Sequence, residues 1–339
     1  MIRHATSRRP LALALAALLG VSLLAGCASK PEAAKPAEPT ATVPAQKPVA
    51  IKIGTLATED SLPLWVAEKM GYFAVEGIPS VEIVSFQSAQ ERDVALASGA
   101  IDAFMGDMIA AANLEASGKK VTVSTIMLGA DASQGRFAIV VPPKSAVTDL
   151  AALSGVPVGT SSATIQEYVL DGLMAEAGVA EDAIKTEEVK KVPVRFELLM
   201  AGKLKAAALP EPFVTLAEQG GATVVADDTK AKSNLSQTVL VISDEYLAKT
   251  GGLASENAVL TAWDLAVNDI NKAPESYRAM LVDKARLPAP LATTYKVNVY
   301  PRHQGPSTDE VNAILSWMRD KGYLKADVTI GDLLAESVQ

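Results

Sequence analysis

Followed for the spacing of its apolar positions, the chain from residue 50 onward alternates short runs of strand character with longer runs of helical spacing. IKIGTL (51–56) is a short apolar run that ends in the polar loop ATEDS, and PLWVAEKMGYF then sets Leu64, Ala67 and Met70 along one helical face. VEIVSF reads as a strand, AQERDVALASG as a helix stopped by glycine, AIDAFMGD as a strand, MIAAANLEASG as a helix and VTVSTIML as a strand. Short strands alternating with helices of about ten residues predict right-handed crossovers onto a mainly parallel sheet. The rhythm restarts with PVGTS, TIQEYVLDGLMAEAG, EEVKK, PVRFELLMAGK, LKAAALP, EPFVTLAEQGG and ATVVADD. Helices follow around 258–270, 275–287 and 309–324.

Two such α/β units joined by the extended pieces GRFAIVVPP and SQTVLVIS predict two lobes with paired hinge crossings. The first lobe takes 50–142 and 240–339, the second 143–239, and the C-terminal helices return to pack on the first. An internal repeat aligns LASGAIDAFMGDM (96–108) with LMAGKLKAAALPEPF (199–213): a helix ending in a small residue and glycine, a buried strand, then a carboxylate, Asp107 or Glu211. Ligands of open α/β sheets bind beyond the carboxyl ends of the strands, so lobes that face each other would bring both carboxylates to one cleft. The same similarity also follows from the frequency of glycine helix stops.

The segment ahead of residue 50 breaks the pattern. Arg3, Arg8 and Arg9 precede an apolar run from Leu11 to about Leu24, then Ala25, Gly26 and Cys27, the one cysteine of 339 residues. Charged start, apolar middle and small-residue end make an export signal over 1–26, too short to span a bilayer. LAGC resembles the lipobox of bacterial lipoproteins, which implies cleavage before Cys27 and its lipidation, as by palmitate. A lone thiol in an oxidising compartment is a liability that lipidation removes. SRRPLAL partly resembles a twin-arginine export signal as well. From Cys27 to Val49, prolines at 31, 36, 39, 44 and 48 among Ala, Lys, Glu and Thr leave almost nothing to bury, so this stretch is a tether with a reach on the order of 60 Å. The protein is therefore placed outside the cytoplasm, held to the cell membrane by lipid.

Composition then narrows the chemistry. The remaining 290 or so residues suffice for two lobes, and 49% hydrophobic with only 5% aromatic residues suits an Ala/Val/Leu-rich α/β protein. A net charge of −8 supplies no basic field for nucleic acid. With His303 the one histidine after the signal, there is no His/Cys zinc set and no H-E-x-x-H. G-x-S-x-G, G-x-x-x-x-G-K-[ST] and G-x-G-x-x-G are absent too. SGKK (117–120) and KTG (249–251) match pieces of the penicillin-binding signature, but Ser117 ends a helix and no S-D-N lies between. No cofactor, metal or catalytic residue is predicted.

What remains is recognition. Thr160, Ser161 and Ser162 lie between a strand and a helix, and Thr164 and Glu167 have capping-box spacing. Hydroxyls with free N–H groups at a helix start form an anion-compatible cradle, or simply cap the helix. Thr55, Leu56, Thr58 and Ser61 hold the corresponding place in the first lobe, Gln87 and Ser88 follow the second strand, and Gln134 lies by the first crossing. Asp107 reads as a helix cap. Glu211 before Pro212 is a poor cap, which favours acceptance from a ligand amine or repulsion of Asp107. Trp65 reads as core and His303 as a surface loop.

The order of motifs from about Ile51 to Asp228 resembles the periplasmic substrate-binding proteins of ABC importers, in the nitrate/sulfonate/taurine and thiamine-precursor group. It is carried by A-x-x-x-G-[YF]-F at Ala67–Phe73, E-G-[IL] at Glu76–Ile78, S-G-x-[IL]-D at Ser98–Asp102 and TDLAALSGVPVG (148–159). In the last, Ala151, Ser154 and Val156 depart from the common form. The resemblance implies a two-lobed periplasmic-binding-protein fold, α/β in each lobe. It implies a monomer that closes on a small solute and delivers it to an ABC permease and its ATPase, and the hydroxyl-rich loops Thr55–Thr58 and Thr160–Thr164 make that solute polar or anionic. The group's solutes include sulfonates, nitrate, bicarbonate, pyrimidines, flavins and aromatic acids, and methionine-binding lipoproteins stand nearby. A branch that synthesises the thiamine pyrimidine uses clustered histidine and cysteines that this chain lacks. Two other readings stay open: an enzyme on this scaffold using Asp107 and Glu211 as acid and base, and a sensory module that presents its ligand to a membrane partner.

Overall fold

The structure, a computed structural model, describes residues 46–288 and 291–334. The signal segment, Cys27 and most of the tether lie outside the described residues. The first five-stranded sheet has the order β2-β1-β3-β10-β4, from β1 (Ile51–Leu56), β2 (Val81–Phe86), β3 (Ala103–Gly106), β4 (Val121–Leu128) and β10 (Thr238–Ser243). The second has the order β7-β6-β8-β5-β9, from β5 (Phe137–Val141), β6 (Pro157–Thr160), β7 (Lys185–Glu188), β8 (Ala207–Pro210) and β9 (Thr223–Asp227). In each sheet one strand runs against the rest: β10 is antiparallel to β3 and β4, and β5 to β8 and β9. Each of these two is the first strand the chain enters after crossing between lobes. GRFAIVVPP and SQTVLVIS are thus sheet strands, and the linking pieces are 129–136 and 228–237. β5 belongs to the second lobe, so that lobe begins a few residues before the expected 143.

Alternation along the strands fixes the layers. Leu240 and Ile242 join one core of the first lobe, Val239 and Val241 the other. The first core is closed by α1 (Leu62–Met70), α2 (Tyr72–Val75) and α9 (Gly252–Lys272), with α8 (Asp244–Leu247), α10 (Arg278–Lys284) and α11 (Leu291–Thr294) at its border. Trp65 is buried there, as its spacing predicts. The second core is closed by α3 (Ala89–Ala97), α4 (Met108–Ala116), α12 (Thr308–Asp320) and α13 (Ile330–Leu333). In the second lobe α5 (Ile165–Glu176) covers one face, and α6 (Val192–Met200) with α7 (Phe213–Gln219) the other. The helices from α9 to α13 pack on the cores of the first sheet. Start signals are local: Ser88 accepts from Glu91 N, Asp107 from Ala110 N, and Ser307 with Glu310 forms a capping box on α12.

The internal repeat is wider than its sequence signal. Gly54 of β1 and Gly159 of β6 are equivalent: a Cβ on either would sit 2.5 or 2.6 Å from Ile101 or Leu204, themselves matched in the repeat. Each glycine precedes a fully buried threonine, Thr55 or Thr160. Arg92 and Arg195 also match, and both are buried. The two carboxylates do not correspond, because counting from Leu96 and Leu199 puts Asp107 opposite Pro210.

Residues 46–49, read as the end of the tether, are fixed to the first lobe. Gly251 N donates to Gln46 Oε1, Val49 N to Ser255 Oγ, and Tyr246 OH to Val49 O. Gly251 has φ +90°, and a Cβ there would lie 2.3 Å from Lys47 O, so only glycine lets this segment close.

Candidate functional site

The loops at the carboxyl ends of β1, β3, β6 and β8 face one another across the two lobes. At the centre, Leu56, Thr58, Asp60, Arg92 and Asp107 of the first lobe meet Thr164, Gln166 and Pro210 of the second around a cavity of about 30 Å³, room for one water. Arg92 lies over the Phe104 ring at 4.5 Å, donates Nη1–H to Met105 O at 2.8 Å and Nε–H and Nη2–H to Asp93. Thr58 Oγ1 donates to Asp60 Oδ1 at 2.6 Å. Burial pushes Asp60 up to about 6 against the pull of Thr58 and Arg92, and burial also raises Asp107. Gln166 is 6% exposed and its Oε1 has no hydrogen-bond partner.

Leu56 and Thr58 also wall a larger interlobe cavity of about 560 Å³, within the range of small-molecule sites. Its walls are apolar: Phe86 from the first lobe, and Val192, Pro193, Phe196, Phe213 and Leu216 from the second. The rings of Phe196 and Phe213 lie 5.8 Å apart. Asp283, Lys284, Glu197 and Arg286 line it as well, and all four are exposed. Gln87 sits here too, its Oε1 accepting from Lys191 Nζ, which also pairs with Glu91 at 3.0 Å and so joins the lobes.

A third cavity, of about 390 Å³, holds Glu211 with Glu59, Arg136, Tyr295, Lys296 and Asn298. Glu211 accepts from Thr215 N and Oγ1 and from Arg136 Nη1. It caps α7 by reaching forward, despite being a poor cap by residue type. The carboxylate that opposes it is Glu59, not Asp107. Tyr295 OH and Asn298 Nδ2 donate to Glu59 at 2.6 and 2.8 Å. Burial first, then the charge of Glu211, pushes Glu59 up to about 8.

The hydroxyl cradle ahead of α5 lines a fourth cavity, and the chain fills the cradle itself. Ser162 N and Oγ both donate to Glu188 Oε2, at 2.9 and 2.7 Å, and Ala163 N donates to Glu167 Oε2. Thr164 Oγ1 donates to Ser161 O, so the Thr164–Glu167 capping box does not form. These acceptors leave the cradle unsuited to an anion.

Of the candidate residues, Leu56, Thr58, Asp107 and Thr164 come together at the centre, and Gln87 joins Leu56 and Thr58 in the large cavity. Ser161 and Ser162 lie in the fourth cavity and Glu211 in the third. Thr55 and Thr160 are buried with unpartnered Oγ1 atoms and line none of these four. Ser61 donates to Leu56 O, Ser88 is spent on its cap, and Gln134 turns back to accept from Ala130 N. The sequence reading missed Glu59, Asp60, Arg92, Gln166 and the phenylalanines. Extending the repeat by four residues would have matched Arg92 with Arg195. His303 is half exposed on a surface loop, its Nδ1 2.8 Å from Asp264. Among the described residues no cluster of His, Cys, Asp or Glu could hold a metal, and no helix is long and apolar enough to cross a membrane.

Comparison with known proteins follows the same lines. A family model described as the NMT1-like family matches residues 44–278. A search of curated proteins found no match. Among solved structures, the alkanesulfonate-binding protein SsuA of Xanthomonas axonopodis pv. citri, bound to MOPS, superposes with TM-score 0.72 at 18% identity, over 86% of this chain and 99% of its own. The aliphatic sulphonate-binding protein SsuA of Escherichia coli gives 0.68 at 20% identity, over 86% and 93%. The nitrate-binding protein NrtA of Synechocystis PCC 6803 gives 0.67 at 16% identity, over 84% of each chain. The latter two are periplasmic binding proteins, and at these identities the likeness establishes the two-lobed fold.

Proposed function

Because the chain belongs to the NMT1-like family, we propose that it is the extracytoplasmic solute-binding lipoprotein of an ABC importer. It is anchored through Cys27, acts as a monomer and delivers its solute to a membrane permease. The observation that carries this reading is the interlobe cavity of about 560 Å³ with its buried polar end, built from residues of both lobes. A site that neither lobe forms alone couples binding to closure, since solute binds better to closed lobes than to parted ones. The closed form is what a permease would recognise.

Catalysis has less support. Asp107 and Glu211 line different cavities, and each is engaged in starting its own helix. An acid–base pair must reach one substrate from both sides. The anchor reading rests on LAGC and on a proline-rich stretch that ends where Gln46–Val49 joins the first lobe.

The test is a thermal-shift screen of the mature chain with sulfonates, nitrate, amino acids, pyrimidines, flavins, aromatic acids and amines. A solute at a hundred times its Kd adds about 2.7 kcal/mol, a shift of several degrees at roughly 2–4 °C per kcal/mol. The bound solute should be recovered unchanged. Turnover would move the chain to the enzymes, and a folded chain that binds nothing from any class would sink the reading.

A further inference from the structure

The deep end of the cleft has more anionic than cationic groups. Arg92 supplies one guanidinium, and Asp93, Asp60 and Asp107 all act on it or beside it. Asp93 takes two of its N–H groups and Met105 O a third, so much of the cation is already committed within the first lobe. Asp60 Oδ1 receives the Thr58 hydroxyl and Asp107 Oδ1 the Ala110 N–H. Each carboxylate has further lone pairs. Independently, the second lobe brings an unpartnered amide to the same cavity: Gln166, more than nine-tenths buried, lines it and its Oε1 has no hydrogen-bond partner. A buried acceptor without a donor is costly, and a water or a ligand head in this cavity would supply the missing hydrogen.

Size and surroundings narrow the ligand further. The central cavity holds about 30 Å³, enough for a single water-sized group. Leu56 and Thr58 wall both it and the larger cavity lined by Phe86, Phe196 and Phe213. The charged groups there balance in sign and are exposed, so water screens them. Buried acceptors at one end and apolar walls at the other suit an amphiphile with a small N–H-rich head.

We propose that the solute is a primary organic amine in its ammonium form, its head among Asp60, Asp107 and Gln166 and its apolar body between the phenylalanines. An ammonium matches a water in size, carries three donors and reduces the negative excess. A sulfonate or nitrate would add to it. The cleft is thus opposite in charge preference to its alkanesulfonate- and nitrate-binding structural neighbours. This inference rests on the solute-receptor reading, and the experiment separates the two.

The experiment is calorimetric titration of the full chain, purified in detergent, with three probes that share one body: phenethylammonium, phenethyl alcohol and phenethyl sulfonate. The ammonium should bind at least about tenfold more tightly than the alcohol, as a charge-assisted hydrogen bond supplies, and the sulfonate should bind weakest. Asp60→Asn and Gln166→Leu, each checked for fold by circular dichroism, should erase most of that preference. The wild-type ranking needs no variant and decides alone. Sulfonate or alcohol binding as tightly as ammonium overturns the amine inference and leaves the receptor reading standing. Binding by none of the three overturns it too, and the broader screen above then decides the receptor reading separately.

Discussion

Arg92 and Arg195 occupy matched positions in the two halves of the repeat and meet opposite circumstances. Arg92 is held by Asp93, Met105 O and the Phe104 face, whereas none of the three Arg195 guanidinium nitrogens has a partner. Burial pushes Arg195 down to about 9, with only the charge of Glu188 opposing. Its helical face is shared with Val192 and Leu199, both core residues. Replacing a poorly compensated buried charge with an apolar side chain of similar length often stabilises. Arg195→Met should therefore raise stability by on the order of 1 kcal/mol or more in urea unfolding. A loss instead would show that the guanidinium has a partner in solution, and loss of solute binding would make that partner the solute. The buried carboxyls set a second expectation. Glu59, Asp60 and Asp228 are pushed up to about 8, 6 and 7 from ordinary values of 4.5, 3.8 and 3.8, mainly by burial. A raised carboxyl holds more proton in the folded than in the unfolded chain, so stability is greatest below the ordinary values and declines as pH climbs through the folded ones. Urea unfolding should show stability falling between about pH 4 and about pH 8, with a shallower fall in Glu59→Gln. A flat profile in the wild type would contradict this assignment.

At the scale of elements, strand and helix positions were readable because each depends on neighbours in sequence. β1, β2 and β4 fall where the apolar runs stand, at 51–56, 81–86 and 121–128. β7 is displaced: EEVKK places it at 187–191, but the strand is Lys185–Glu188, an edge strand with every residue exposed and so no apolar pattern to locate it. The attachment of the segment ahead of β1 is hidden from the sequence for a related reason. Gln46–Val49 is poor in apolar residues, yet its backbone and amide groups pair with Gly251, Ser255 and Tyr246 about two hundred positions away. Gly251→Ala should cost about 1–3 kcal/mol, because the left-handed conformation and the approach of Lys47 O both exclude a side chain. Hydrogen exchange at Val49 N–H should quicken in the variant more than exchange in β1. Unchanged protection at Val49 would mean that this segment is held by something other than the fit at Gly251.

Across the whole molecule, closure is a balance of contacts between lobes. α12 is anchored in the first lobe through Val311, Ile314 and Leu315. In its last turn Trp317 packs edge-on against Tyr168 of the second lobe at 5.2 Å, and past its end Lys321 Nζ pairs with Glu167 at 3.3 Å and Asp171 at 3.0 Å while Tyr323 OH donates to Glu167. Glu167 is buried, so removing its cation leaves a charge better solvated with the lobes apart. Lys321→Met should lower solute affinity about tenfold and enlarge the radius of gyration of the solute-free chain in X-ray scattering. Equal affinity with a lower melting temperature would show that these contacts persist whether the lobes are open or closed.

The sequence alone determined the alternation of strands and helices, the two-lobed α/β arrangement and the family likeness. Periodicity, caps and glycine stops act over a few residues and are written into the chain in order. Only the tertiary structure decided the site. It spent Ser61, Ser88 and Gln134 on their own backbone, gave the serine cradle to Glu188 and Glu167, and set Glu59 rather than Asp107 against Glu211. It also gathered Asp60, Arg92, Asp107 and Gln166 at one end of a phenylalanine-walled cleft. Burial, charge and unfilled hydrogen-bonding capacity belong to groups brought together from distant positions, and no local pattern encodes which group will find another already in its place.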